Sequence, residues 1–367
     1  MGSGLRVVIA GGGTGGHLYP GIAVARELLA RCADATVTFA GTSKGIESRV
    51  VPREGFELDT IRSGGLKGKS IGDRLRGATL VPLGLLDAWK LLSSRRPDLV
   101  IGVGGYSSGP VVLMAAARRI PTMVLEQNAV PGLTNRLLAY VVRAAAVTYD
   151  TTKTYFGARA FVSGNPVRAE FVTGSIGPSG ADKQGVGILV FGGSQGAHAI
   201  NVAMVEAAPA LANMGSGLHR LHLTHQTGDR DVDLVKEGYR AAGLDAQVEP
   251  FIYDMAARLA QADLVVCRAG ATTLAELMAS GTPSILVPLP TATDDHQRKN
   301  AEALANAGAA VMMLQKDATG AALAARIASL VNDVSARMRM SAAAHRLARP
   351  EAARVIVDRA LELVRAC

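Results

Sequence analysis

Short apolar runs alternate with segments of helical period along most of this chain. Leu5–Ala10, Ala35–Ala40, Leu99–Val103, Thr122–Leu125, Ala144–Thr148 and Arg159–Val162 read as buried strands, with helices between them that include Pro20–Arg31 and Pro110–Arg119. The pattern pauses around Gly164-Asn-Pro-Val-Arg168, and the Gly-, Ser- and Pro-rich stretch Thr173–Gly187 is the best linker candidate. It then restarts with a strand at Gly187–Phe191, a glycine turn and a helix at Ala199–Leu211. Further strands are predicted at Leu218–Thr224, Gln247–Pro250, Leu264–Cys267, Ser284–Val287 and Ala310–Met313. Near-continuous apolar strands alternating with helices imply parallel sheets covered on both faces. The segments 5–22 and 187–201 look like the first βα units of two similar domains. The fold class is therefore α/β, with two doubly wound Rossmann-like domains. Ligands of such sheets bind at the carboxyl ends of the strands, and two such domains face to face make a cleft.

Length agrees with two domains, since 367 residues exceed one ordinary core. Three cysteines, Cys32, Cys267 and Cys367, have no metal-ligand spacing and fit a reduced compartment without a disulfide framework. The N-terminus shows no basic region followed by an apolar one, so no signal peptide is expected. No stretch reaches the roughly 18 apolar residues of a membrane span. The formal charge of +8 favours an anionic partner. Aromatic residues make up only 4%, which argues against a nucleic-acid binder that stacks bases.

Three strands end in glycine turns: Gly11-Gly-Gly-Thr-Gly-Gly-His17, Gly102-Val-Gly-Gly-Tyr-Ser-Ser-Gly-Pro110 and Gly192-Gly-Ser-Gln-Gly-Ala197. Such turns bring backbone N–H groups against a phosphate or polyoxygenated ligand. None carries the Walker lysine, and Ala35–Ala40 ends in Gly41-Thr42 rather than in the acid of a dinucleotide site. NAD binding and nucleotide hydrolysis are both disfavoured. His17 is unusual, because an imidazole at the lip of a binding loop can move a proton near neutral pH.

Other polar clusters also follow strands. Glu126-Gln-Asn128 ends the strand Thr122–Leu125 and reads either as a ligand edge or as a capped loop. Asn135 reads either with it or as a helix N-terminal residue. Arg268-Ala-Gly-Ala-Thr-Thr-Leu-Ala-Glu276 opens a helix with small and hydroxyl residues, as a phosphate site would. Glu276 could accept ribose hydroxyls or simply face solvent. Pro290–Asn300 offers amide and imidazole groups to sugar hydroxyls, or is a polar loop. Separately, Arg62–Arg96 holds eight cations against two acids around Leu80-Val-Pro-Leu-Gly-Leu-Leu-Asp-Ala-Trp89. It reads as a surface that lies on an anionic membrane, or as a buried helix with charged flanks.

Together these motifs resemble the bacterial peptidoglycan transferase family that adds N-acetylglucosamine to lipid I to make lipid II. The resemblance runs nearly end to end. It includes Gly12–His17, Gly104–Pro110, Glu126–Asn128, Gly132–Asn135, Gly164–Arg168, Gly192–Ala197, Phe251-Ile252, Cys267–Thr273, Asp295–Gln297 and Asn300. It implies a GT-B fold whose two sheets face an interdomain cleft. The acceptor and membrane-facing domain would be 1–168, rejoined by a C-terminal helix at about 348–367, and the UDP-N-acetylglucosamine domain 169–347.

The resemblance also implies a donor site. Thr14, Gly15 and Gly16 would line the pyrophosphate and sugar, Asn128 would meet the N-acetylglucosamine, and Arg168 and Ser194 would lie near the phosphates. Ile252 would pack by the uracil. Ala271, Thr272, Thr273, Leu274, Ala275 and Glu276 would hold the diphosphate and ribose, with Glu276 on the ribose hydroxyls. Gln297 would reach the sugar hydroxyls. Leu125 stands where some members have histidine, so no proton role can sit there.

The implied reaction is a direct inverting transfer to the C4 hydroxyl of the muramoyl sugar. His17 is the first candidate for the base and Glu126 the second. No Asp-x-Asp pair ends a strand, so neither metal nor cofactor is expected. The expected partners are UDP-N-acetylglucosamine, lipid I and, through Arg62–Arg96, the anionic cytoplasmic face of the inner membrane, where the protein would be peripheral. No nucleic acid is expected.

Overall fold

The computed structural model describes residues 4–64, 71–168, 170–171, 185–193, 196–215 and 221–365, with the side chains of 71–79 and 215 also outside the description. The chain divides into two compact units, residues 1–168 with 349–367, and residues 169–348.

The first unit runs β1 (Arg6–Gly11), α1 (Gly15–Arg31), β2 (Thr36–Gly41), α2 (Glu47–Arg53), β3 (Glu57–Thr60), α3 (Ile71–Arg95), β4 (Leu99–Gly104), α4 (Ser108–Ala117), β5 (Thr122–Glu126), α5 (Leu133–Leu138), β6 (Ala144–Val147) and β7 (Ala160–Val162). Its sheet has the order β3-β2-β1-β4-β5-β6-β7 with every pair parallel. The apolar runs supply both faces, as parallel strands require. Val7 and Ile9 of β1 point to Leu18, Ile22 and Leu28 of α1, while Val8 and Ala10 belong to the core beneath Leu91, Leu92, Val111 and Val112. The order reverses between β1 and β4, so the turns that follow these two strands flank the point where doubly wound sheets bind ligands.

The second unit runs β8 (Val186–Phe191), α6 (His198–Gly215), β9 (Leu221–Gln226), α7 (Val232–Ala241), β10 (Ala246–Glu249), α8 (Met255–Gln261), β11 (Leu264–Cys267), α9 (Ala271–Ser280), β12 (Ser284–Leu286), α10 (His296–Asn306), β13 (Val311–Met312), α11 (Gly320–Asn332) and α12 (Val334–Leu347). Its order, β10-β9-β8-β11-β12-β13, repeats that of the first sheet, again with every pair parallel. Its reversal point lies between β8 and β11. The last helix, α13 (Ala352–Arg365), belongs to the first unit, where Ile356, Val357, Ala360 and Leu363 fill the α1 side of the core.

Some elements differ from the sequence expectation. Helix α1 starts at Gly15, not Pro20, so His17 is inside its first turn. Strand β3 was not expected. It is a half-exposed edge strand whose Glu-Leu-Asp-Thr pattern carries too little apolar signal. The strand expected at Leu218–Thr224 runs instead over Leu221–Gln226, with residues 218–220 outside the description. Most of the linker candidate Thr173–Gly187 is likewise outside it.

Candidate active site

In the first unit the turns after β1 and β4 are packed on each other. The Gly12 N–H donates to the Gly104 carbonyl at 3.4 Å. Gly104 has φ +99°, and a Cβ there would stand 2.8 Å from Cδ2 and 3.1 Å from Nε2 of His17. A glycine is therefore required both for the backbone conformation and for the imidazole that covers it. Thr14 is the extended N-cap residue of α1, and Gly15, Gly16 and His17 form its first turn. The Thr14 hydroxyl lies 3.3 Å from His17 Nδ1. Arg168 lays its guanidinium over the Tyr19 ring of the same helix, 5.3 Å from the centroid.

Beneath the first turn is Glu47, which sequence reading missed. It is fully buried, and its carboxylate accepts from the Gly13 N–H at 2.8 Å, the Thr42 N–H at 2.8 Å and the Thr42 hydroxyl at 2.7 Å. Burial pushes this carboxyl up, but the hydrogen bonds outweigh burial and leave it below the usual range. The available signal was an acid just beyond β2 in Gly41-Thr-Ser-Lys-Gly-Ile-Glu47.

Glu126, at the end of β5, is also buried. One oxygen accepts from the N–H (3.0 Å) and Nδ2 (3.1 Å) of Asn128, the other from the Gly132 N–H (3.2 Å) and Asn135 Nδ2 (2.9 Å). Burial pushes the Glu126 carboxyl up against these donors. Asn135, in the first turn of α5, is buried as well and donates to the Leu125 carbonyl, so it is both a helix N-terminal residue and a strut of this loop. Gln127 ties the loop to β4 through the Val103 carbonyl at 3.0 Å.

In the second unit α9 opens directly after β11, with Gly270 as its extended N-cap residue and Ala271, Thr272 and Thr273 in its first turn. This places the positive end of a helix dipole at the reversal point of the sheet. Leu274 and Ala275 are core residues, and Glu276, only 9% exposed, is not the solvent-facing glutamate that sequence left open. Arg268 is buried too. Its guanidinium donates to the carbonyls of Val287 (3.0 Å) and Pro288 (3.2 Å) and to Gln315 Oε1 (2.7 Å), fixing the chain that leaves β12.

Gln297, in the first turn of α10, accepts from the Leu289 N–H at 3.0 Å. Just before α10, Asp294 and Asp295 have φ +55° and +56°, a left-handed conformation that aspartate tolerates better than most residues. Ile252 is buried, and its N–H donates to Gln226 Oε1 at 2.9 Å. Gln226 Nε2 donates in turn to the Gly193 carbonyl at 2.8 Å, clamping the third glycine turn. Gln226, like Glu47, was not singled out from sequence, because it lies beyond the expected end of its strand. Ser194 lies outside the described residues.

The Arg62–Arg96 region forms α3 and the chain before it. Ala88, Leu91 and Leu92 are core residues, whereas Val81, Leu83, Leu86 and Trp89 are exposed. Arg118, at the end of α4, covers Trp89 with its guanidinium 5.1 Å from the ring centroid. Arg62 is paired with Asp87, and Arg95 with Glu57 and Asp59. Lys67 and Lys69 and the side chains of Arg74 and Arg76 lie outside the description. Among the described residues no helix is long and apolar enough to cross a membrane.

Comparison with known proteins covers nearly the whole chain. Residues 7–147 match the glycosyltransferase family 28 N-terminal domain and residues 187–356 the glycosyltransferase family 28 C-terminal domain. The UDP-N-acetylglucosamine--N-acetylmuramyl-(pentapeptide) pyrophosphoryl-undecaprenol N-acetylglucosamine transferase of Anaeromyxobacter sp. (strain K) is 51% identical over 98% of this chain and 94% of its own length. The protein of the same name from Pelobacter propionicus is 46% identical over 97% of this chain and 99% of its own. Among solved structures, Acinetobacter baumannii MurG superposes with a TM-score of 0.80 at 31% identity, covering 98% of this chain and 99% of that one. The chain therefore belongs to glycosyltransferase family 28 and, within it, to the family of UDP-N-acetylglucosamine--N-acetylmuramyl-(pentapeptide) pyrophosphoryl-undecaprenol N-acetylglucosamine transferases.

Proposed function

We propose that the protein transfers N-acetylglucosamine from UDP-N-acetylglucosamine to the muramoyl C4 hydroxyl of lipid I, giving lipid II and UDP with inversion at the anomeric carbon. The observation that carries this reading is the pair of sheet reversal points. One holds an imidazole on a glycine turn, and the other a helix N-terminus with a buried glutamate behind it. A transferase of this type needs a proton acceptor in one place and a nucleoside diphosphate cradle in another.

The first unit supplies the acceptor chemistry. As the C4 oxygen forms its bond to the anomeric carbon, its proton passes to His17 Nε2, a contribution typically worth about 10²–10⁴ in rate. The Thr14 hydroxyl lies 3.3 Å from His17 Nδ1, and in the tautomer whose Nδ1–H donates to it Nε2 is the nitrogen that takes the proton. Thr14, Gly15 and Gly16 line the sugar and pyrophosphate. Glu126, with four N–H donors on its oxygens, acts by holding Asn128 toward the acetamido sugar, so the base is assigned to His17.

The second unit holds the donor. The first turn of α9, Ala271–Thr273, receives the diphosphate. Its dipole stabilises the charge that appears on UDP as the glycosidic bond breaks. Leu274 and Ala275 anchor the helix so that Glu276 can accept the ribose hydroxyls. Ile252 packs by the uracil, and Gln297 donates to the sugar hydroxyls.

Lipid I stays in the membrane by its polyprenyl tail, so the enzyme must come to it. The exposed Val81, Leu83, Leu86 and Trp89, with Arg118 beside them, support peripheral docking of the first unit on the anionic cytoplasmic face of the inner membrane. The deciding experiment is UDP release with UDP-N-acetylglucosamine and a short-chain lipid I analogue. His17→Ala is expected to keep donor binding and lose turnover by about 10²-fold or more. Full turnover of that variant at saturating donor removes His17 as the base.

A further inference from the structure

The Glu47 carboxylate is unusually enclosed. A Cβ added at Gly12 would stand 2.7 Å from its Oε1, one at Gly41 2.6 Å from its Cγ, and one at Gly45 would overlap the carboxylate itself. Three glycines thus make room for a single acid. On one side this acid is held by Thr42, through both the N–H and the hydroxyl, and Thr42 in turn receives the Gly45 N–H at 3.2 Å. On the other side it takes the Gly13 N–H. Gly13 immediately precedes Thr14, the N-cap residue of the helix whose third residue is His17.

We propose that Glu47 is a positioning residue of the transfer reaction: by holding Gly13 it sets the entry of α1, and so the placement of Thr14 and His17 against Gly104. The catalytic part of this inference rests on the function proposed above. Three observations separate Glu47 from an ordinary buried acid. Apart from its own N–H, its donors come from two loops at the carboxyl ends of neighbouring strands, β1 and β2. No salt bridge to it is found among the described residues. Its hydrogen bonds from Gly13, Thr42 and its own N–H together outweigh desolvation, which keeps it an acceptor for the Gly13 N–H. An amide in its place must turn an NH2 group toward one of these donors, leaving an N–H without an acceptor.

The test is Glu47→Gln, alone and combined with His17→Ala, with Thr42→Val as a milder second variant. Glu47→Gln is expected to lower kcat about 10–100-fold, as a small misplacement of a catalytic group does, while the KM for UDP-N-acetylglucosamine changes much less. Thr42→Val should show the same split to a lesser degree. In the His17→Ala background the Glu47→Gln effect should nearly vanish, because Glu47 acts through that imidazole. The His17 imidazole 15N resonances give a readout free of turnover. They should shift in Glu47→Gln and, less, in Thr42→Val.

Unchanged kcat, an equal loss with and without His17, or unmoved imidazole resonances in either folded variant would overturn the proposal. Failure of the function itself looks different. Wild-type protein would then release no UDP from the lipid I analogue, and the resonances would still decide whether Glu47 sets His17.

Discussion

The imidazole of His17 rests against the α-carbon of Gly104, closer than any side chain at that position would allow. The two residues come from turns 87 positions apart in sequence, brought together because β1 and β4 are neighbours with Gly11 beside Gly104. Gly104→Ala adds a methyl group at φ +99°, which costs on the order of 1–3 kcal/mol of backbone strain, and it pushes the ring away. We expect kcat to fall by about 10²-fold with little change in donor KM. Steady-state UDP release at varied donor checks this, and a rise in donor KM at constant kcat would contradict it.

Glu276 is buried on a helix whose neighbouring residues are core, so its carboxylate has a fixed direction. If it accepts ribose hydroxyls, Glu276→Gln should weaken UDP binding by about tenfold or more, since hydrogen bonds to charged groups are worth about 1.5–3 kcal/mol. Calorimetric titration with UDP measures this without the acceptor. An unaltered Kd would remove Glu276 from the donor site.

His225 is a pH-sensitive point of the second unit. Asn201 uses its Nδ2 on the Thr227 carbonyl and Asp231, so its Oδ1 faces His225, whose Nε2 must therefore carry the proton. Nδ1 then accepts from the Tyr239 hydroxyl at 2.7 Å. Burial pushes the His225 pKa down to about 3, against a weaker upward pull from Asp231. Below the ordinary histidine value of about 6.5 the unfolded chain binds a proton that the folded one does not. Stability is therefore complete above about pH 6.5 and declines as pH falls toward the folded value, by up to roughly 1.4 kcal/mol per pH unit. Urea titrations between pH 7 and 5 test this slope. His225→Phe should be less stable throughout and show a flatter slope.

Leu86 is 48% and Trp89 51% exposed on α3, whereas Leu92 of the same helix is buried. Carrying both to glutamate removes apolar area and adds like charge facing an anionic surface. Retention on vesicles containing anionic lipid should drop about tenfold or more, with activity on a soluble acceptor analogue preserved. Unchanged cosedimentation would dismiss this surface as the docking face.

Much of the fold was readable because parallel strands are nearly continuous apolar runs stopped by glycine. Leu99–Val103 and Leu264–Cys267 stand within a residue of where pattern put them. Strand β3 was hidden because an edge strand has no need of a full apolar face, and the start of α1 because Gly15 and Gly16 are poor helix formers that only packing holds. In the site, motif residues were visible and their supports were not. Glu47 lies in the loop after β2, where an acid could equally face a ligand, yet its carboxylate is turned inward to Gly13 and Thr42. Only side-chain direction distinguishes the two roles, and periodicity carries none.

Sequence by itself determined the alternating α/β plan, the glycine turns at strand ends and the family, since each depends on residue type in order along the chain. The tertiary structure alone decided what those residues do for one another. It seated His17 on Gly104, closed Glu126 within Asn128, Gly132 and Asn135, buried Glu276 and put Glu47 beneath the first turn. The first and the last of these join segments far apart in sequence. They are set by the strand order that places β1 beside β4 and by the space that a missing Cβ leaves, neither of which local pattern records.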